Sequence, residues 1–213
     1  MTATGLTIAV PRGALFGETL DLLDRLGLDT REIRENERRL IFPELGVITT
    51  RPSHVPTYVE HGAADIGITG KDVLLEQGDR EVYELLDLRY GYCRMIVAAR
   101  DGDDPLGEPL RRRGSVRVAT KYPHIAAEHF ARTGRQAEIV EVKGSVEIGP
   151  LTGLVDAIVD LTASGRTLSE NHLVEHEQIV ECTARLIANP VSHKLKAEAI
   201  DLFVEKVREA VAQ

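Results

Sequence analysis

The sequence predicts an α/β protein, because short β-branched runs alternate along most of the chain with longer stretches of helical periodicity. Glycine and proline separate these runs, as they do at turns between strands and helices. Hydrophobic residues make up 43% of the 213 residues and charged residues 28%, which is typical of a globular chain large enough for one domain or two small ones. This alternation favours a mostly parallel sheet covered by helices.

The predicted strands are short and rich in valine, isoleucine and alanine. They cover residues 6–10, 46–50, 65–69, 93–99, 116–119, 139–142 and 157–160. Residues 179–188 form a longer alternating stretch, predicted as one extended segment that can cross between domains. Residues 100–114 are rich in Asp, Gly and Pro and are predicted as a surface loop.

The predicted helices follow from apolar residues spaced three and four apart. A leucine stripe from Leu15 to Leu26 ends at Gly27, and Ser53 is placed to cap a helix that runs to Val59. Further helices are predicted at residues 70–77, 123–132 and 194–212.

Composition argues against several classes of protein. Acidic residues outnumber basic ones by 34 to 26, and the net charge of −8 disfavours broad binding to nucleic acid or anionic membranes. Two cysteines are too few for a disulfide framework or a cysteine-rich zinc site. The first apolar run, residues 6–10, is too short for a signal peptide or a membrane span. We therefore expect a cytoplasmic protein with no nucleic-acid or membrane partner.

Chemistry is most clearly indicated by residues 157–167, where an apolar strand ends in Asp160 and a loop of small and hydroxylated residues follows. Backbone amides at the start of a helix bind anions, and Gly165 allows close approach of the backbone. The hydroxyls of Ser164 and Thr167 can donate to phosphate oxygens, and Asp160 can accept from ribose hydroxyls or hold Mg²⁺. An ordinary capped turn is the equally weighted alternative.

A second candidate anion site is Gly144-Ser145, which follows a predicted strand and lies beside Lys143. Taken alone, a plain turn is the better interpretation. The run His172-Leu-Val-Glu175-His176 fits a zinc-peptidase pattern, but its place at the end of a short predicted helix argues against a metal site. His124 and His129 are interpreted as surface or cleft-edge groups, and Cys93 as a small core residue.

The motifs along the chain, taken together and in order, resemble those of the ATP phosphoribosyltransferases, the first enzymes of histidine biosynthesis. The resemblance is carried by residues 51–73, Tyr92-Cys93-Arg94, residues 118–123, 141–168 and 184–189. It implies a glycosyltransferase (pentosyltransferase) that joins N1 of ATP to C1′ of phosphoribosyl pyrophosphate and releases pyrophosphate, with Mg²⁺ as cofactor. The chain lacks the additional C-terminal domain of the long form, so it is similar to the short form. Short-form members work with a regulatory subunit similar to histidyl-tRNA synthetase in a hetero-octamer, and a self-dimer is also expected.

The fold that this resemblance implies is that of type II periplasmic binding proteins, with two α/β domains, a ligand cleft between them and a chain that crosses twice. We expect domain I to comprise residues 1–90 and 180–213, and domain II residues 91–179.

The resemblance also implies the roles of individual residues. Phosphoribosyl pyrophosphate is expected to bind to Glu141, Gly144, Ser145, Asp160, Thr162, Ala163, Ser164, Gly165, Arg166 and Thr167. ATP and the pyrophosphate end are expected near Arg12, Gly13, Arg38, Arg51, Lys71 and Lys121, with Arg38 and Arg12 catalytic. The metal ligands are not assigned.

The chain departs from the family pattern in its first βα loop, Pro11-Arg12-Gly13-Ala14. Ala14 stands where an arginine that steadies pyrophosphate is usual, and Arg12 stands where lysine is usual and is a candidate to compensate. Two alternatives therefore stay open: a non-catalytic solute-binding protein of the same fold, and a subunit that is weakly active alone because of Ala14. The phosphate-type loop and the absence of an export signal disfavour the first.

Overall fold

The structure, a computed structural model, describes residues 5–36, 38–102 and 104–212. The chain forms two compact units: unit 1 comprises the residues up to Gly91 and from Thr183 onward, and unit 2 comprises Tyr92–Cys182. The predicted division lay after residues 90 and 179. The chain in fact returns to unit 1 later, because the last strand of unit 2 stays paired to its neighbour as far as Cys182 opposite Cys93.

The elements alternate as the sequence indicates. Unit 1 begins with β1 (Ile8–Pro11), α1 (Phe16–Arg25), α2 (Arg31–Glu35), β2 (Ile41–Phe42), β3 (Val47–Thr50), a 3₁₀ turn (Pro52–His54), α3 (Val55–Glu60), β4 (Ile66–Gly70), α4 (Lys71–Gln77) and β5 (Tyr83–Asp87). Unit 2 follows with β6 (Cys93–Arg100), α5 (Gly107–Arg113), β7 (Val116–Thr120), α6 (Pro123–Arg132), β8 (Ala137–Glu141), α7 (Ile148–Leu151), β9 (Ala157–Thr162), α8 (Arg166–Glu170) and β10 (Leu173–Cys182). Unit 1 is completed by β11 (Ala184–Ala188), α9 (Pro190–Leu195) and α10 (Ala197–Val211).

Each unit is built on a mixed sheet with a parallel centre. In unit 1 the strand order is β2-β3-β1-β4-β11-β5, with β1 parallel to β3 and β4 and the outer strands antiparallel. In unit 2 the order is β10-β6-β9-β7-β8, with β7 parallel to β8 and β9, and β6 antiparallel to β9 and β10. The expectation of a mostly parallel sheet is wrong on one side of each sheet, because the strand by which the chain enters or re-enters the unit, β6 or β11, pairs antiparallel with both of its neighbours. It is also wrong for β2, which forms an antiparallel pair with β3.

Unit 1 buries apolar side chains on both faces of its sheet. Ile8 and Val10 of β1 join one core, while Ala9 between them joins a second core with Val55 and Val59 of α3. A Cβ added at Gly67 of β4 would lie 2.6 Å from Val55 Cγ1, so glycine lets α3 pack directly on the strand. Side chains that alternate in direction along the strand therefore pack into cores on both faces of the sheet.

Four local predictions are wrong. The extended segment 179–188 is two strands in different sheets, divided at Thr183, because alternation alone does not reveal the break. The predicted loop 100–114 contains α5, because the arginine-rich run at residues 111–113 forms the last turn of a helix. Ser53 lies inside the 3₁₀ turn and caps nothing. The C-terminal helix is two helices that meet at Lys196, with Asn189 capping the first through Ser192 N at 2.8 Å.

No helix in the described part of the chain is long and apolar enough to cross a membrane.

Candidate functional site

The loop after β9 turns at a left-handed glycine and leads directly into α8. Gly165 is left-handed at φ +74° and precedes the first residue of α8. Its amide donates to Thr162 Oγ1 at 3.0 Å, and its carbonyl accepts from Ser169 N at 3.0 Å. The first amides of a helix have no partner inside that helix. Ala163, Ser164 and Thr167 are exposed, so this end of the loop is accessible to a ligand.

A shared core holds this loop and the turn that follows β8. Leu168 of α8 and Val146 of the second turn are both buried against Ile96, Ala119 and Ile158 of the unit 2 sheet. The polar residues of both loops are therefore fixed at one edge of the sheet by apolar neighbours one or two positions away along the chain. Apolar anchors beside exposed hydroxyls and glycines are the local reason that these two loops have a defined position on the sheet.

Charged residues gather at the same edge, where the parallel strands of unit 2 end. Lys121 follows β7, Glu141 is the last residue of β8, and Asp160 lies near the end of β9. The register pairs Thr120 with Glu141 and with Val159, so the three strand ends are adjacent. In α/β sheets this carboxyl edge is where ligands bind.

Asp160 has an unusual environment. Burial raises the pKa of its carboxyl group, Lys121 opposes the shift, and Glu147 adds to it. The Lys121 Nζ lies 3.6 Å from Asp160 Oδ1, which is an ion pair beyond hydrogen-bond distance. Oδ1 is buried and has no hydrogen bond in the described structure. The Asp160 side chain as a whole is 18% exposed, so part of the carboxyl group faces solvent at this edge, where it can accept from ligand hydroxyls.

The other residues predicted to bind phosphoribosyl pyrophosphate differ in whether their side chains are free to contact a ligand. Ser145 is in the left-handed region at φ +50° and is exposed together with Gly144. Arg166 is also exposed, but its guanidinium is paired with Glu170 at 2.8 Å along α8. The Arg166 side chain is thus turned along its own helix, and its backbone amide donates to Ser164 Oγ at 3.4 Å.

In unit 1, two of the predicted arginines line one groove. Arg12 follows β1 and Arg51 follows β3, at the carboxyl edge of parallel strands. The groove has a volume of about 370 Å³ and is otherwise lined by Leu40, Ile41, Ile48, Thr49, Thr50 and Tyr58. Leu40, Ile41 and Tyr58 were not predicted as site residues. An apolar wall with two cations at its rim is suited to a flat base that carries phosphates.

The remaining predicted residues of unit 1 lie outside the set that lines this groove. Gly13 is exposed in the first βα loop with φ +85°. Arg38 is exposed, and none of the described residues bonds to its side chain. Lys71 follows β4 at the same sheet edge, but its ammonium donates to Glu84 at 2.7 Å.

No group of three or more His, Cys, Asp or Glu side chains able to hold a metal occurs among residues 5–36, 38–102 and 104–212. Asp160 and the neighbouring Glu147 supply one or two carboxylates. That set fits Mg²⁺ when substrate phosphates provide most of its ligands, as is common for this ion.

Two histidine interpretations change with the structure. His129 is buried, not superficial: its Nε2 lies 2.8 Å from Glu177 Oε2, and Arg135 donates to the same carboxylate at 2.6 and 2.7 Å. Arg135 lowers the pKa of Glu177 more than burial raises it. The segment that matches the zinc-peptidase pattern lies at the start of β10, not on a helix, so its histidines do not share a helix face. Cys93 is half-buried, at the start of β6.

Comparison with known proteins adds independent evidence. The family model for ATP phosphoribosyltransferase (HisG) matches residues 51–209. An ATP phosphoribosyltransferase of Geobacillus sp. (strain WCH70) is 47% identical over 214 residues, which cover 98% of this chain and 100% of the relative. A solved ATP phosphoribosyl transferase (HisG:HisZ) complex from Thermotoga maritima is similar at a TM-score of 0.81 and 33% identity, covering 97% of this chain and 98% of that one.

A more distant likeness concerns the fold alone. The periplasmic aliphatic sulphonate binding protein SsuA of Escherichia coli has a TM-score of 0.62 at 12% identity, covering 97% of this chain and 72% of that one. The expected type II periplasmic-binding-protein-like fold is therefore confirmed. With its family match over residues 51–209 and its end-to-end identity to a curated relative, the chain belongs to the ATP phosphoribosyltransferase family.

Proposed function

We propose that the chain is the catalytic subunit of a short-form ATP phosphoribosyltransferase. It joins N1 of the ATP adenine to C1′ of phosphoribosyl pyrophosphate and releases pyrophosphate, the first step of histidine biosynthesis. The observation that carries this proposal is the hydroxyl- and glycine-rich loop at the end of β9, held at the carboxyl edge of parallel strands in a chain of this family.

The sugar phosphate is assigned to unit 2. Its 5′-phosphate accepts from the amides and hydroxyls of residues 162–167, and its ribose hydroxyls donate to Asp160. Glu141 and the Gly144-Ser145 turn flank the same position. The partly exposed carboxyl group of Asp160 and the exposed residues Ser164 and Thr167 support this assignment.

ATP and the pyrophosphate end are assigned to the cationic residues Arg12, Arg38, Arg51, Lys71 and Lys121, with Gly13 beside them. The groove that contains Arg12 and Arg51 has apolar walls for the base. Arg38 is exposed and no described residue pairs with its side chain, so it is available for pyrophosphate. Charge grows on pyrophosphate as the bond to C1′ breaks, and fixed cations stabilise such a transition state.

The reaction requires little acid–base chemistry from the protein. Adenine N1 already carries the lone pair that attacks C1′, so no general base is needed to activate it. Mg²⁺ bound to the phosphates of the substrates supplies charge neutralisation for the leaving group. The protein residues orient the two substrates and exclude competing water.

The proposed assembly includes a regulatory partner. The Thermotoga maritima neighbour is a HisG:HisZ complex, which supports a HisZ partner for this chain. A regulatory subunit similar to histidyl-tRNA synthetase, a hetero-octamer and a self-dimer of the catalytic chain are the states we propose, in the cytoplasm where both substrates are present.

Pyrophosphate release from ATP plus phosphoribosyl pyrophosphate, with and without the HisZ-type partner, tests this function. We expect release to require both substrates and Mg²⁺, and to be strengthened by the partner. Binding of phosphoribosyl pyrophosphate without any pyrophosphate release in the complex contradicts the proposal and favours a solute-binding role. The matched control omits ATP and measures spontaneous hydrolysis.

A further inference from the structure

We propose that Arg12 is a positioning residue, which holds the backbone beside Arg38 so that the Arg38 guanidinium is presented to pyrophosphate. This inference rests on the proposed function. In addition to its place in the groove assigned to ATP, Arg12 has a structural task that acts through Arg38. This task explains how a chain with Ala14 in its first βα loop still presents an arginine to pyrophosphate.

The contacts of the half-buried Arg12 side chain lead to the β2–β3 hairpin. Its Nη2 donates to the carbonyl oxygen of Arg39 at 2.7 Å, and its Nε donates to Thr49 Oγ1 at 2.9 Å. The Arg12 amide also donates to Thr50 O at 2.7 Å. One guanidinium thus joins both sides of the hairpin, the segment that enters β2 and the strand β3. A guanidinium can reach two acceptors in a fixed geometry, whereas a lysine ammonium behaves as a point charge.

The Arg39 side chain, unlike that of Arg38, is bonded to its surroundings. Its guanidinium pairs with Glu32 of α2, donates to Ile41 O at 2.9 Å and lies 5.0 Å from the centre of the Phe42 ring. Arg39 is therefore committed to structural contacts, while the adjacent Arg38 is exposed and none of the described residues bonds to it.

The β2–β3 hairpin is short, so the contacts made by Arg12 and Arg39 determine its orientation. The β2–β3 ladder comprises only Ile41 opposite Ile48 and Phe42 opposite Val47, followed by the Thr49 amide bonded to Leu40 O at 2.7 Å. With so few ladder bonds, the chain next to Arg38 depends on the contacts of Arg39: its amide donates to Asn36 O at 3.0 Å, and its carbonyl oxygen accepts from Arg12. Loss of the Arg12 bond therefore loosens this segment. Preorganised charge is what makes such an arginine effective in the transition state.

A double-mutant cycle with Arg38 tests whether Arg12 acts through that residue. We expect Arg12→Gln to lower kcat about tenfold in the complex, with the KM for phosphoribosyl pyrophosphate within about twofold of wild type. In the Arg38→Ala background, Arg12→Gln should change kcat by less than about twofold, because the residue it positions is gone. Arg51→Gln is the matched control: its effect should be the same in both backgrounds. Equal losses from Arg12→Gln in both backgrounds overturn the proposal.

Amide hydrogen exchange tests the same contact without any activity. In Arg12→Gln the amide of Thr49 should exchange at least about tenfold faster than in wild type or in Arg51→Gln, because exchange reports local opening. Unchanged exchange of Thr49 overturns the proposal even if kcat falls. A wild-type complex that releases no pyrophosphate contradicts the proposed function instead, and the exchange result then still decides whether Arg12 holds the hairpin.

Discussion

Replacement of Gly165 by valine isolates the contribution of the loop backbone to binding of phosphoribosyl pyrophosphate. Gly165 has φ +74°, and a Cβ built there meets no atom within 4 Å. The substitution therefore introduces backbone strain without a steric clash. An L-residue in the left-handed region costs about 1–2 kcal/mol, and a β-branched residue more.

The loop with valine can relieve this strain only by leaving the left-handed conformation. That change breaks the 3.0 Å bond from the Gly165 amide to Thr162 Oγ1 and moves the first amides of α8. If 1–2 kcal/mol separates the binding conformation from relaxed ones, the apparent Kd rises about 5- to 30-fold, because only the competent fraction binds. We expect at least this loss for Gly165→Val, to the point of no measurable binding.

Isothermal titration calorimetry with phosphoribosyl pyrophosphate measures the effect, and Gly134→Val provides the matched control. Gly134 follows α6, has φ +70° and also has open space around its Cβ position. It precedes β8, whereas the site is at the opposite end of that strand. Both variants should lose thermal stability, but only Gly165→Val should lose affinity. Binding by Gly165→Val within about twofold of wild type refutes the role of the loop.

Three further predictions concern charge. Arg38→Ala should lower kcat about 100-fold and affinity much less, as loss of a transition-state contact does; unchanged turnover in steady-state kinetics rejects that role. Because burial raises the pKa of the Asp160 carboxyl group, its ionisation destabilises the fold as pH rises through that pKa. Asp160→Asn should therefore raise Tm at neutral pH more than at acid pH while weakening sugar-phosphate binding, and a lower Tm at neutral pH contradicts this. Hydrogen bonds from Arg135 lower the pKa of the Glu177 carboxyl group. Ionised Glu177 therefore stabilises the fold at pH values above its ordinary pKa, and this contribution is lost as pH falls. Glu177→Gln should destabilise unit 2 by about 1–3 kcal/mol in denaturant unfolding at neutral pH and by less in acid; equal losses at both pH values are inconsistent with this.

The longer buried strands and the helices with clear apolar stripes were predictable from the sequence. Residues 123–132 are predicted and observed as one helix, since proline marks the start and the apolar positions share one face. The strand at residues 157–160 extends further, to Thr162, because β6 pairs with it as far as Arg94. Short elements such as β2 and α2 were missed, since two to five residues carry too little periodicity.

Only part of the site was predictable, because a sequence motif shows contiguous residues and not contacts between distant segments. Local motifs identify the loop after β9, because the residues that form it are contiguous. They do not reveal that Lys121 and Asp160 face each other, since this depends on the register of β7 against β9. Nor do they reveal that Arg12 bonds to the carbonyl of Arg39, a contact between distant segments of unit 1.

A structure of the chain with bound phosphoribosyl pyrophosphate is the decisive measurement. We predict the 5′-phosphate within hydrogen-bond distance of the amides of residues 163–167, with ribose hydroxyls on Asp160. Phosphate density at the Arg12 and Arg51 groove, with residues 162–167 unliganded, would show that the loop after β9 is an ordinary turn.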